Sequence, residues 1–401
     1  MTDVNQRREA YEPVAPTDHS PLATHHSIRS LFLCLICVLL GFGVLMIHSA
    51  SITSKPTDWE EVYLRRHLMW LAIGVVSAAV AARLPSRFWR RAAPGLFVVT
   101  LILLAAVLVP GIGRQVKGAQ RWIRYGSFSI QPSELAKITL TLFLCYLVDR
   151  MRPVLTTWVR GMLPLVVPLV FAVPLVLMQP DLGTSVFLAS TGATALFVGG
   201  WPIRNFVLGG AAAVPGLIAV VQRKPYMMQR ITGFVATCTD LNAAPYHLKQ
   251  SLITLGTGGL WGSGLGKGWQ KLSFLPEANT DFVFAVIGEE LGLLGTLTVI
   301  ALWVGLFLTG LRLLRPLDRT SFEYIAGFTL LTQLVLQAAL NVAVVTAMVP
   351  PKGISHPLVS CGGSNLVVSL TALGIFLSLT RTGSPLAPAG GEGSGVRGER
   401  L

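Results

Sequence analysis

Apolar residues fall in ten long blocks along this chain, and that blockwise pattern restricts the fold more than any single motif. The blocks lie near 30–51, 67–83, 94–110, 132–148, 161–178, 182–200, 203–221, 282–311, 322–348 and 357–380. A helix of about 20 apolar residues crosses a bilayer. Inside hydrocarbon, backbone polar groups must be satisfied internally, which leaves helices and closed barrels. A barrel needs alternating segments of about ten residues, and none stand out. The expected fold is therefore all-α: a polytopic membrane domain of about ten spans over 28–382. A long external loop joins spans seven and eight. Residues 1–27, with Pro13, Pro16 and Pro21, read as a disordered tail without a cleavable signal, and 383–401 as a flexible Gly, Pro and Ser-rich tail.

Composition narrows the partners. Charged residues are 13% of the chain, about half the share usual in soluble proteins, yet the net charge is +13. The basic residues are scattered over short loops without a stripe or an aromatic stacking platform, so nucleic acid is not the expected partner. Membrane lipids and a charged lipid substrate explain them better. Arg83, Arg87, Arg90, Arg91, Arg150, Arg152, Arg160, Arg204, Arg312, Arg315 and Arg319 all fall on the side of the N-terminus. The positive-inside rule then places both termini in the cytoplasm.

The loop 111–134 breaks that rule by placing Arg114, Lys117, Arg121 and Arg124 on the outer face. Either an anionic ligand binds there, or an already oriented molecule tolerates a solvated cationic loop. Span four then opens QPSELAKI. Glu134 and Lys137, three residues apart, share a face and should point into the bundle, either to serve a substrate phosphate or to lock two helices.

The segment SFLPEANTDFVFAVIGEELG, 273–292, sets Asp281 where a polar loop meets an apolar helix, with Glu289 and Glu290 about two turns deeper. Acids are costly in hydrocarbon, so a site is one reading, and a helix cap at Asp281 is the other. The glycine run 256–268 is not a Walker loop, since Trp261 stands where its first Gly should be and Gly268 follows Lys267. Its backbone could approach an anion, or simply turn tightly. Ser360, Gly362, Gly363 and Ser364 make a small polar helix entrance that could receive a sugar or phosphate, or pack. Cys34, Cys37 and Cys145 fall in apolar spans. Cys238 and Cys361 fall in external loops, where a disulfide is open to test.

Four stretches carry a resemblance: GAQRWIRYGSFSIQPSELAKI, QSLITLGTGGLWGSGLGKG, LPEANTDFVFAVIGEELG and PPKGISHPLVSCGGSNL. Together, in this order, they resemble the SEDS family, the FtsW and RodA peptidoglycan glycosyltransferases. The resemblance implies an inverting polymerase of lipid II at the outer face of the bacterial cytoplasmic membrane. Asp281 matches the catalytic aspartate, and Arg121 and Lys137 match positions implicated in function. It also implies a class B penicillin-binding protein and other divisome or elongasome membrane proteins as partners. A divalent cation, Mg or Mn, is compatible with the chemistry, although the sequence shows no metal cage. The short segment Gly266–Leu275 and GVLMIHSAS favour the division type, FtsW-like, over RodA. A lipid II flippase and a non-catalytic scaffold are the rival readings. The chain departs from the usual pattern at Cys361, Asn279 and Lys352, where Tyr, His and Thr are common.

Overall fold

The computed structural model describes residues 21–51, 59–116, 119–125 and 128–382. Each of the ten apolar blocks is a helix there: α1 (Pro21–Ser51), α2 (Trp59–Arg83), α3 (Ser86–Leu108), α4 (Pro132–Arg150), α5 (Leu163–Met178), α6 (Leu182–Val198), α7 (Ile203–Arg223), α11 (Val283–Leu314), α12 (Phe322–Val345) and α13 (Gly363–Leu379). The segment between α7 and α11 adds three short helices, α8 (Pro225–Thr239), α9 (Tyr246–Thr257) and α10 (Gln270–Ser273). Among the described residues, seven helices are long and apolar enough to cross a membrane by length and composition, and α6 and α13 are shorter apolar helices. The tenth, α4, carries Glu134 and Lys137 at one end and Asp149 and Arg150 at the other. α1 already begins at Pro21, inside the stretch that the sequence assigns to the N-terminal tail.

The loop 111–134 is more ordered than its sequence implies. It holds a small antiparallel sheet in the order β1 (Gly113–Val116), β2 (Ala119–Tyr125) and β3 (Phe128–Ile130). Trp122, Ile123 and Tyr125 supply β-favouring side chains. The period-two pattern is only a few residues long, too short to register against ten apolar blocks.

Helix ends follow local chemistry. Pro132 opens α4 at a position where its missing N–H costs nothing. Asp181 caps α6, its Oδ1 accepting the Thr184 N–H at 3.0 Å. Ser321 caps α12 through Tyr324 N–H at 3.2 Å. α11 breaks at Gly292, whose φ of 66° is favourable only for glycine. The break lets residues 260–262 press against the helix, where a Cβ on Gly292 would lie 2.5 Å from Gly262 N.

α4, α12 and α13 form the centre, with buried residues on most of their surfaces. α2 packs on α13, α3 on α4, and α1 on α11. α7 buries only Asn205 and Val221. The exposed apolar side chains of α2, α3, α5 and α7, such as Val76, Ile102, Phe171 and Val207, suit hydrocarbon as their solvent. The basic clusters gather at the end of the bundle away from Asp281. There Arg87, Arg90, Arg91 and Arg150 line one cavity, and Arg90 pairs with Asp149 at 2.5 Å.

Candidate active site

A ladder of amides on α12 organises the half of the core nearer Asp281. Gln333, Gln337 and Asn341 are four residues apart and so lie on one helix face. Gln333 Oε1 accepts Thr141 Oγ1–H at 3.0 Å. Gln337 Oε1 accepts a Lys137 Nζ proton at 3.0 Å, and its Nε2 donates to Asn365 Oδ1 at 2.9 Å and Ser355 O at 3.0 Å. Asn341 Nδ2 donates to Asp281 O at 2.8 Å and Ile354 O at 2.7 Å. One amide therefore fixes the Asp281 backbone to the turn between α12 and α13. A second clasp, Cys361 N–H to Asn279 O at 2.9 Å, closes the same junction between two of the family-departing positions.

Asp281 is half-buried. It does not cap α11: Phe282 occupies that position, and no side chain caps it. Its carboxylate lies against the turn instead, so that a Cβ on Gly353 would stand 2.8 Å from Asp281 Oδ2. His247, on α9, packs its ring against Phe282 at 6.2 Å. Burial, then the nearby Arg230, lowers the His247 pKa from the usual imidazole value.

The residue preceding Gly353 links this acid to the cations. The Lys352 stem runs over Gly183, where any Cβ would overlap its methylenes. It ends among Asp181, Lys137, Glu134 and Arg121. Burial pulls the Lys352 pKa down to about 8, Asp181 and Glu134 oppose that fall, and Lys137 and Arg121 add to it. Arg121 and Lys137 already have carboxylate partners. Arg121 donates to Gln179 O at 3.1 Å and to Pro180 O, and pairs with Asp181 at 3.5 Å. Lys137 Nζ bonds both Glu134 oxygens at 2.8 Å and sits 5.2 Å from the centre of the Phe187 ring. Among the described residues, Lys352 makes no such ion pair. Three cations and two carboxylates leave the cluster with one net positive charge.

The other expected site residues turn inward to the protein. Ser360 Oγ accepts His356 N–H at 2.8 Å. Ser364 Oγ donates to Ser129 O at 2.9 Å, holding β3 to α13. Gly362 lies close to Ser355 and Asn365, and Gly363 packs against the Trp70 indole. The Ser364 bond ties the sheet to the last helix. Lys117 lies outside the described residues. Cys361 carries a free thiol.

The end of the glycine run and the two residues after it donate to an anion of the chain's own. Glu289 Oε1 accepts Trp269 N–H at 2.8 Å and Gln270 N–H at 3.0 Å, and Glu290 Oε2 accepts Gly266 N–H at 3.2 Å. Glu290 also pairs with fully buried Lys271 at 2.5 Å and accepts Ser49 Oγ–H at 2.7 Å. The two acids anchor the loop leading to Asp281. Among the described residues no three His, Cys, Asp or Glu converge, so these donors do not fit a protein-held Mg or Mn ion.

Sequence reasoning missed Lys352 as a site residue, Asp181, and the α12 amides. The four-residue spacing of Gln333, Gln337 and Asn341 inside an apolar span was the available signal. Asp181 sits alone before a span and has no sequence partner.

Fold and site define a polytopic helical membrane protein with an acid and a cationic cluster at one end of its core. The chain belongs to the FtsW/RodA/SpoVE family, described as cell cycle proteins, whose model matches residues 29–384. A probable peptidoglycan glycosyltransferase FtsW of Trichlorobacter lovleyi is 38% identical over 90% of this chain and 95% of its own. The corresponding protein of Aromatoleum aromaticum is 39% identical over 84% of each. Among solved structures, a chain of a peptidoglycan synthase complex superposes with a TM-score of 0.72 at 27% identity, covering 88% of this chain and 98% of that one. Thermus thermophilus rod shape determining protein RodA gives 0.65 at 27% identity, covering 87% and 95%.

Proposed function

We propose that this chain is a division-type, FtsW-like peptidoglycan glycosyltransferase that polymerises lipid II, with Asp281 as general base. The observation that carries the reading is the turn 352–353. The Asp281 carboxylate lies beside Gly353, while Lys352 lies along Gly183 and within the electrostatic field of Asp181, Glu134, Lys137 and Arg121. One turn thus spans a base and an anion site, the two groups the reaction needs.

The acceptor 4-hydroxyl gives its proton to Asp281 as its oxygen bonds the donor anomeric carbon. The bond from that carbon to the diphosphate oxygen breaks, and lipid diphosphate leaves with the electron pair. The configuration inverts. Lys352, which among the described residues makes no ion pair within 4 Å, offsets charge growing on the leaving group, where such stabilisation acts most strongly. Arg121 and Lys137 hold the field around it. A divalent ion, Mg or Mn, would enter with the substrate diphosphate.

The site faces the outside of the bacterial cytoplasmic membrane, and both termini are cytoplasmic, because the opposite end carries the clustered arginines. A class B penicillin-binding protein is the partner that supplies crosslinking, in keeping with the likeness to a chain of a peptidoglycan synthase complex. The apolar interior below the site argues against translocation. Below Thr141 and Gln333, the facing surfaces of α4 and α12 carry buried Leu144, Val148, Ala326 and Leu330. The test is polymer formation from lipid II in detergent, where no bilayer exists to cross. Polymer from the wild type and none from Asp281→Ala is the expected result. Failure of the wild type with its partner to make polymer would overturn the reading.

A further inference from the structure

The small sheet carries cations on two faces. Successive strand residues alternate sides, so Arg121 and Ile123 share one face of β2, and Trp122 and Arg124 the other. Arg114 pairs with Trp122 in register and therefore joins Arg124. The Arg121 face turns inward to Asp181. Arg114 and Arg124 instead line a separate, widely open surface hollow of about 670 Å³ with Gly111, Ile112 and Gly113. An exposed apolar stripe through Val98 and Ile102 of α3 and Val109 just past its end leads up to Ile112 at the rim.

The chemistry requires two anion sites. Each cycle joins two saccharides, and each is tethered to the membrane through a diphosphate. One diphosphate leaves and the other stays. Like charges confined together repel strongly, so both cannot occupy the inner cluster, which has one net positive charge. We infer that the Arg114–Arg124 cavity holds the retained diphosphate of the acceptor, with its lipid tail lying along the α3 stripe. This rests on the polymerase reading above and extends it to a second substrate position. The cavity's place beside a lipid-facing stripe selects a lipid-linked anion over a soluble one.

The two sites should differ kinetically. No bond to the retained diphosphate breaks, so its charge is the same in ground and transition states. Arg114 and Arg124 then contribute uniform binding and set KM, whereas the inner cluster sets kcat.

The test is a count of bound lipid II by native mass spectrometry on full-length Asp281→Asn protein in phosphatidylcholine nanodiscs. Two molecules are expected, falling to one with Arg114→Gln and Arg124→Gln together. The charge-keeping pair Arg114→Lys and Arg124→Lys should retain two, which separates lost charge from a misfolded sheet. In otherwise wild-type protein with its partner, the Gln pair should raise half-saturating lipid II about fivefold or more, with maximal turnover held within about twofold. Two molecules on the Gln pair, or one on the parent, overturns the assignment. So does a fall in maximal turnover at unchanged half-saturation. Displacement of the second lipid II by phosphatidylglycerol would assign the cavity to bulk phospholipid and overturn it too. Failure of the base reading shows separately, as polymer made by Asp281→Asn.

Discussion

Gly353→Ala isolates the position of the Asp281 carboxylate from its chemistry. A new Cβ would lie 2.8 Å from Oδ2, and ordinary contact begins near 3.4 Å, so the oxygen must retreat by about 0.6 Å. The retreat itself is cheap. Oδ2 is the end of a side chain, Gly353 is exposed, and its φ is outside the left-handed region. Stability should therefore change by about 0.5 kcal/mol or less. Catalysis is less tolerant, because a misplacement of about 1 Å costs on the order of 100-fold. A 0.6 Å shift should then lower kcat roughly 10-fold, about 1.4 kcal/mol of barrier. The assay is the maximal rate of glycan formation at saturating lipid II, paired with a thermal melt of the purified protein. A variant with wild-type Tm and wild-type kcat would refute the claim that this carboxylate takes the proton.

Three further perturbations probe the surroundings. Lys352 has a pKa near 8 and loses its charge as pH rises through that value, so kcat/KM should fall above about pH 8. Lys352→Arg should move that alkaline limb upward, whereas Lys352→Met should abolish it at a lower overall rate. Glu290→Gln leaves Lys271 buried with a weakened partner and should destabilise the protein by about 3–5 kcal/mol, seen as a lower Tm in detergent. Asn341→Leu removes the amide shared by Asp281 O and Ile354 O. It should cost about 1–3 kcal/mol of stability and lower kcat more than it raises KM, as steady-state kinetics would record.

Much of this molecule was legible because hydrocarbon is a strict solvent. Each apolar block had to be a helix, and each is. Asp281, Glu134 and Lys137 stood out because charge is rare in such surroundings, and two readings were left open for each. The structure removes one of these readings, since Asp281 is not a cap, and shows the Glu134–Lys137 pair joining α4 to α12 through Gln337. What stayed hidden depends on contacts between distant segments. Lys352 registered only as a departure from the family pattern, since its neighbours Asp181 and Gly183 lie far off in sequence. The carboxylates of Glu289 and Glu290 are the anion for the glycine loop, a pairing no local pattern encodes. Small polar residues at the entrance of α13 serve packing and binding equally well, so the sequence does not choose between them. The sheet escaped notice because its strands are only three to seven residues long.

The central claim is that one carboxylate at the outer mouth of the core removes the acceptor proton. Its most direct test is the single-turnover rate of glycosidic bond formation by Asp281→Asn, purified with its partner and saturated with lipid II. Loss of a general base should slow that step by about 100-fold to 10,000-fold while lipid II stays bound. Bond formation at the wild-type rate would contradict the account.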